Sequence, residues 1–324
     1  MPMVDFDIPF PSRRSPHIAD THERARRWAL DTGLLNLQHL PAYDAWQMAL
    51  FCGLAWPDAP ADDLYLATRL FIWWPLFDDQ FDSPLGEDPK RAATICLPYI
   101  HTVRTTDTRP RSTDDPLLAV YRGLWARITG PMSEQWRQRA ADHWQGYFHV
   151  YEYEAAIRGS DHPLPGLDEY QRLRLHSTAV QPCFDLAERF RPHLTAEVPD
   201  HLARHPHMHR LRELSTLVVG TVNDVISLDK EEKHTRERIN LIPLLEHHQD
   251  MTRDEAVRHA QHQVQHWVHK YLTEEARLRA AAERVTPTPA EHDALDNFLT
   301  HTRDWMRANY EWHLVTGRYT GTYA

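Results

Sequence analysis

The residues best suited to chemistry in this 324-residue chain are Phe77-Asp78-Asp79-Gln80-Phe81-Asp82, three carboxylates that close an apolar, aromatic run from Leu70 to Phe77. A helical turn brings residues three and four apart onto one face, so the spacing predicts Asp78 and Asp82 in line with Asp79 beside them. Carboxylates crowded next to Phe71, Trp73 and Trp74 repel one another in a dry setting. A cation relieves that repulsion, and an all-oxygen donor set selects a hard one such as Mg²⁺. Taken alone, the same three aspartates also fit a solvated helix end.

A second pattern narrows the choice. Asn223, Ser227 and Glu231 recur at i, i+4 and i+8, a column of amide, hydroxyl and carboxylate oxygens along roughly 12 Å of one helix face. Together they can fill about half of an octahedral Mg²⁺ shell. Asp224 and Asp229 fall off that column, so conservative changes there are expected to matter less. The preceding run, Leu217 to Val222, is apolar enough for a buried helix, which disfavours the alternative of a polar stripe facing solvent.

With these two patterns together, the chain resembles the class I terpene synthases, and among them the bacterial single-domain cyclases: DDxxD at 78–82 is followed by NDxxSxxKE at 223–231. Arg318-Tyr319, preceded by Trp312, is similar to the family's terminal Arg-Tyr pair that binds diphosphate. The segment from Tyr170 to Thr178 is similar to the one carrying the diphosphate-sensing arginine, which would be Arg174. The opening from Pro9 to His17 looks like the start of these enzymes, so the resemblance spans nearly the whole chain.

The resemblance implies an all-α bundle around a central cavity and three Mg²⁺ ions. The implied metal ligands are Asp78, Asp79, Asp82, Asn223, Ser227 and Glu231, with Arg174, Lys230, Arg318 and Tyr319 on the diphosphate. Phe71, Trp74, Phe77, Trp305 and Trp312 are the candidate cavity walls. Two departures stand out. Where the family often has glycine at the helix break after the sensor, this chain has Thr178, Ala179 and Val180, so Pro182, which lacks an N–H and crowds the preceding turn, is the candidate breaker. The interval from Arg174 to Asn223 is slightly long for the family, which points to an insertion near the His- and Pro-rich stretch 191–209.

Composition agrees with a helical enzyme. Glycine is scarce, at 11 residues, and the net charge of −10 argues against nonspecific nucleic-acid binding. Phosphate-binding cations must therefore be local. Cys52, Cys96 and Cys183 are odd in number and far apart, which fits a reducing compartment without a disulfide framework. The start of the chain lacks a basic segment followed by an apolar one, and no stretch is long enough for a membrane span, so the cytoplasm is the default location. His201, His205, His207 and His209 have possible metal spacing, but Pro206 interrupts them; with 23 histidines in the chain, a solvated loop is the plainer reading. No glycine-rich phosphate loop is present.

Helical periodicity predicts about ten helices: near 18–35, 43–54, 61–82, 88–104, 117–128 and 132–158, a helix carrying Arg174, then 208–231, 252–284 and 289–316. A polar break is expected at 105–116, a loop at 158–163, and a charged, mobile segment at 232–238 that could close over the mouth. No repeat or linker divides the chain, so residues 1–324 are expected to form one domain with an N-terminal arm at 1–17, as a monomer or homodimer. The expected activity is Mg²⁺-dependent cyclisation of an isoprenoid diphosphate, most simply farnesyl diphosphate to a sesquiterpene. The alternatives are a monoterpene or diterpene cyclase, a prenyltransferase (which would carry a second Asp-rich motif in place of Asn223/Ser227/Glu231), or a noncatalytic helical scaffold.

Overall fold

Helix boundaries follow the capping chemistry of the chain. The computed structural model describes residues 4–105, 108–158, 163–191, 196–234, 239–285 and 287–319. Its helices are α1 (Ile18–Asp31), α2 (Leu40–Trp46), α3 (Met48–Ala55), α4 (Ala61–Asp78), α5 (Pro89–Arg104), α6 (Pro116–Thr129), α7 (Glu134–Arg158), α8 (Leu167–Ser177), α9 (Val180–Arg189), α10 (Asp200–Ala203), α11 (Pro206–His234), α12 (Leu241–Gln249), α13 (Arg253–Glu283) and α14 (Pro289–His313). Short 3₁₀ turns include Asp79–Asp82 and Gly317–Tyr319, and no strand occurs among the described residues. Asp88 and Asp115 cap α5 and α6, each just before a proline at the first helical position, where the missing N–H costs nothing. Thr252 with Glu255, and Thr288 with Glu291, form capping boxes that start α13 and α14.

The all-α expectation holds, and the helix count is higher than periodicity suggests. The stretch expected as one helix at 43–54 is split at Gln47, whose φ of +56° is left-handed, into α2 and α3. The break after Arg174 falls at Thr178-Ala179 rather than at Pro182. Ala179 adopts a left-handed φ of +60°, and Pro182 sits in the first turn of α9, where proline is tolerated. A non-glycine residue in that region costs about 1–2 kcal/mol, so tertiary contacts must hold the break. Gly220 of α11 is one of them: a Cβ there would lie 3.0 Å from Thr178 Cγ2 and 3.5 Å from Arg174 Nε. Helices α9, α10 and α12 lie where periodicity predicts none. Residues 106–107 of the polar break, 159–162 of the 158–163 loop, 192–195 of the insertion and 235–238 of the charged segment lie outside the described residues.

One buried cluster runs from Phe6 to Trp312. Helix α11 is central, packed against α13 and α14 and touching α8, α9 and α12; α3 packs on α4 and α14, and α5 on α7. Each large side chain taken out of water contributes about 1.5–3 kcal/mol. The N-terminal arm is strapped along α14: Phe6, Ile8 and Phe10 are buried, Ser12 Oγ donates to Glu311 at 2.7 Å, and Arg13 pairs with Asp304 at 2.9 Å. The three cysteines are buried and unbridged. No described helix is long and apolar enough to cross a membrane. His207 pairs with Glu274 at 2.7 Å, and no group of three His, Cys, Asp or Glu side chains suited to a metal occurs among the described residues.

Candidate active site

A cavity of about 270 Å³ opens at one end of the bundle, walled by α3, α4, α7, α8, α9, α11 and α14 and by the turn at Arg318-Tyr319. On α4, Phe71, Trp74, Pro75 and Asp78 line it, as the i, i+3, i+4, i+7 spacing of one helix face requires. Asp82 joins them from the 3₁₀ turn that follows. The acidic run is therefore not a continuous α-helical face. Asp78 and Asp82 reach the cavity, while Asp79, expected beside them as a metal ligand, turns to Arg318, with Nη2 2.7 Å from Oδ1. Arg318 Nη2 lies 4.0 Å from Asp78 Oδ2.

These carboxylates sit at the negative end of the α4 dipole, the unfavourable end for an anion. Asp78 keeps about half of its side chain in solvent, yet desolvation by the cavity walls, then the neighbouring Asp79 charge, raises it above its ordinary value. Burial and the Asp78 charge push Asp82 up to about 6, although Lys230 opposes the shift. Tyr151 donates to Asp78 Oδ1 at 2.7 Å.

Across the cavity, Asn223, Ser227, Lys230 and Glu231 line the wall from α11. Asn223 Nδ2 donates to His313 Nε2 at 3.1 Å and to the Tyr319 hydroxyl at 3.2 Å. Ser227 Oγ donates to Glu231 Oε1 at 2.6 Å, and Asn240 Nδ2 donates to Glu231 Oε2 at 2.8 Å. The Gly317–Tyr319 turn thus bridges both sides, with Arg318 on Asp79 and Tyr319 on Asn223. Arg174 is held on α8 by Asp224 Oδ1 at 2.6 Å, with longer bonds from the same nitrogen to Asn223 Oδ1 at 3.2 Å and the Gly220 carbonyl at 3.4 Å. Burial opposes its charge, but the Asp224 carboxylate and Tyr170 raise the guanidinium above its ordinary value. Asp224 also accepts from the Tyr170 hydroxyl and, at 2.8 Å, from Leu241 N. Being off the ligand column does not make Asp224 idle: it anchors the arginine.

The donor set fits a hard divalent cation. Mixed amide, hydroxyl and carboxylate oxygens on α11 share one cavity with two carboxylates whose proton affinity is raised by desolvation and then by crowding. A cation there would relieve both the mutual repulsion and the clash with the helix dipole.

Below this polar mouth the cavity is aromatic. Trp312 stacks on Phe51 with centroids 4.9 Å apart, and its Nε1 donates to the Trp46 carbonyl at 2.7 Å. Trp305 meets Phe51 edge-on at 5.0 Å and Phe71 at 6.0 Å, and Trp74 stacks on Trp144 at 4.6 Å. Phe77, expected as a wall, does not line the cavity. At 100° per residue it points away from the Phe71–Asp78 face and packs among Trp73, Tyr99, Phe148 and Tyr151.

Sequence reasoning missed Tyr147, Glu154 and Arg158 on α7, and Asn309 and His313 on α14, all of which line the cavity. Glu154 and Arg158 pair at 3.3 Å. The i, i+7, i+11 spacing of Tyr147, Glu154 and Arg158 was the available signal. Burial lowers His313 to about 4, so this imidazole is neutral.

Comparison with known proteins agrees with this geometry. Residues 69–270 match the family model described as terpene synthase family 2, C-terminal metal binding. The chain is 34% identical over 325 residues to pristinol synthase of Streptomyces pristinaespiralis, covering 97% of this chain and 84% of that protein. It is 30% identical over 321 residues to the (−)-β-caryophyllene synthase ((2E,6E)-farnesyl diphosphate cyclizing) of Saccharothrix espanaensis, covering 97% and 88%. The crystal structure of germacradien-4-ol synthase from Streptomyces citricolor superposes with a TM-score of 0.83 at 28% identity, covering 96% of this chain and 98% of that one. The cavity, its oxygen donors and this likeness along nearly the whole chain place the protein in the terpene synthase family.

Proposed function

We propose that the chain is one catalytic domain that ionises farnesyl diphosphate with Mg²⁺ and cyclises it to a sesquiterpene. The observation that carries this reading is the pairing, in a single cavity, of Asp78/Asp82 with Asn223/Ser227/Glu231 above a floor of aromatic rings. These five side chains would hold the metal, and Asp79 would support them through Arg318. Bound there, divalent cations neutralise charge growing on the departing diphosphate.

The chain's own residues do the rest. Arg174, Lys230 and Arg318 give charge-assisted hydrogen bonds to the diphosphate, and the Tyr319 hydroxyl adds a neutral one. Asp224 and Asp79 hold two of those arginines in place before substrate arrives. When the C1–O bond breaks, the electron pair leaves with the diphosphate oxygen and an allylic cation remains. Phe51, Phe71, Trp74, Trp305 and Trp312 keep it dry and face it with π-electrons, each contact contributing about 0.5–2 kcal/mol. Shielding matters because water would quench the cation.

The relative that cyclises (2E,6E)-farnesyl diphosphate supports the fifteen-carbon substrate. The test is incubation with geranyl, farnesyl and geranylgeranyl diphosphates plus Mg²⁺, followed by product identification. Cyclic products from farnesyl diphosphate are expected; cyclic products from none of the three would overturn the reading.

A further inference from the structure

The polar junction between α11 and α12 contains a residue that neither motif includes. Asn240 is 2% exposed, and its amide serves three groups at once. Oδ1 accepts from Ile242 N at 2.9 Å, capping α12. Nδ2 donates to the Asp224 carbonyl at 2.8 Å and to Glu231 Oε2 at 2.8 Å. Glu231 is thereby gripped on both oxygens, by Ser227 on Oε1 and by Asn240 on Oε2. The neighbouring contact from Leu241 N to Asp224 Oδ2, at 2.8 Å, ties the same α12 terminus to the residue that anchors Arg174.

A glutamate has three rotatable bonds, so a carboxylate that must meet a cation at one point needs partners to hold it there. The partner from its own helix, the Ser227 hydroxyl, is itself a candidate ligand. Asn240 comes from outside the helix and is fixed at its other end by the α12 cap. We propose that Asn240 is the positioning residue for Glu231: it sets the carboxylate's orientation in the cavity and couples metal affinity to the start of α12. This inference rests on the reading of Glu231 as a metal ligand.

The two oxygen-bearing substitutions N240S and N240T separate this role from scaffolding. Both can still cap α12, but neither has an amide donor for Glu231. The readout is the melting midpoint of the full chain as Mg²⁺ is raised in the presence of inorganic diphosphate, since a ligand that binds the folded state raises that midpoint. The expected result is a metal-free midpoint close to the parent's and a half-saturating Mg²⁺ concentration about 10- to 100-fold higher, the usual effect of losing a partner of a ligating side chain. Parental Mg²⁺ dependence in N240S and N240T overturns the proposal. Failure of both to fold also overturns it, by making Asn240 a scaffold residue. The parent and E231Q, run alongside, test the underlying reading: if Mg²⁺ does not stabilise the parent, or stabilises E231Q equally, then the ligand assignment of Glu231 has failed rather than the role of Asn240.

Discussion

Replacing Asp224 by Asn tests the geometry at a residue that the motif spacing undervalues. The substitution keeps shape and one acceptor but removes the charge opposite Arg174, whose Nη2 lies 2.6 Å from Asp224 Oδ1. Both side chains are shielded, at 12% and 2% exposure. Removing one partner of a buried pair costs about 3–5 kcal/mol. Arg174 would keep its bonds to Asn223 Oδ1 at 3.2 Å and to the Ser177 hydroxyl at 3.3 Å, so the low end, about 3 kcal/mol, is expected. In a chain of 324 residues that lowers the melting midpoint by about 4–5 °C. Turnover should fall at least about tenfold, because an arginine displaced by even about 1 Å no longer meets the diphosphate in the productive geometry. Calorimetry and a diphosphate-release assay read the two effects. A D224N protein that melts and turns over like the parent would refute the anchoring role.

Trp312→Phe should leave diphosphate release near normal while shifting products toward earlier or acyclic species, because about 1.4 kcal/mol between competing barriers changes a ratio tenfold; an unchanged product spectrum would make Trp312 simple scaffold. The fold should survive, since Thr316 Oγ1 also donates to the Trp46 carbonyl at 3.0 Å. Arg318→Ala should do the reverse, slowing ionisation while largely keeping the product pattern. The Asp82 carboxyl, pushed up to about 6 by burial and by Asp78, favours its protonated form in the metal-free fold. Its ionisation therefore costs stability as pH rises from its ordinary value of 3.8 through about 6. Metal binding needs the proton gone, so more Mg²⁺ should be required for half-maximal stabilisation at about pH 5.5 than at about pH 7.5, with the difference reduced in D82N; equal requirements in the parent would contradict the assignment.

What is legible in the chain is whatever local chemistry determines. Asp115-Pro116 and Thr288-Pro289 announce helix starts because cap and proline act within one turn, and the Asn223, Ser227, Glu231 column follows from helical spacing alone. The break at Ala179 is not legible: a left-handed alanine is unfavourable locally and is held by the contact of Thr178 with Gly220. The expectation for Phe77 fails because membership of an aromatic run says nothing about which face a residue takes. The pairing of Asp79 with Arg318 is not legible because that partner lies far away in sequence. Asp224, Tyr151 and Asn240 act through contacts between helices, which no single-helix pattern contains. Helix α12 is short, and its first N–H groups are taken by Asp224 and Asn240, so its start too depends on tertiary partners.

If the two facing oxygen clusters bind the divalent cation that allows the diphosphate to leave, diphosphate release must follow the metal. The most direct measurement is diphosphate release from farnesyl diphosphate by the parent and by E231Q, first in excess chelator and then with Mg²⁺ restored. No release is expected in chelator, with recovery of the parent on adding Mg²⁺ and a loss of at least about a hundredfold in E231Q with its fold intact. Full release in chelator, or parental turnover by E231Q, would contradict it.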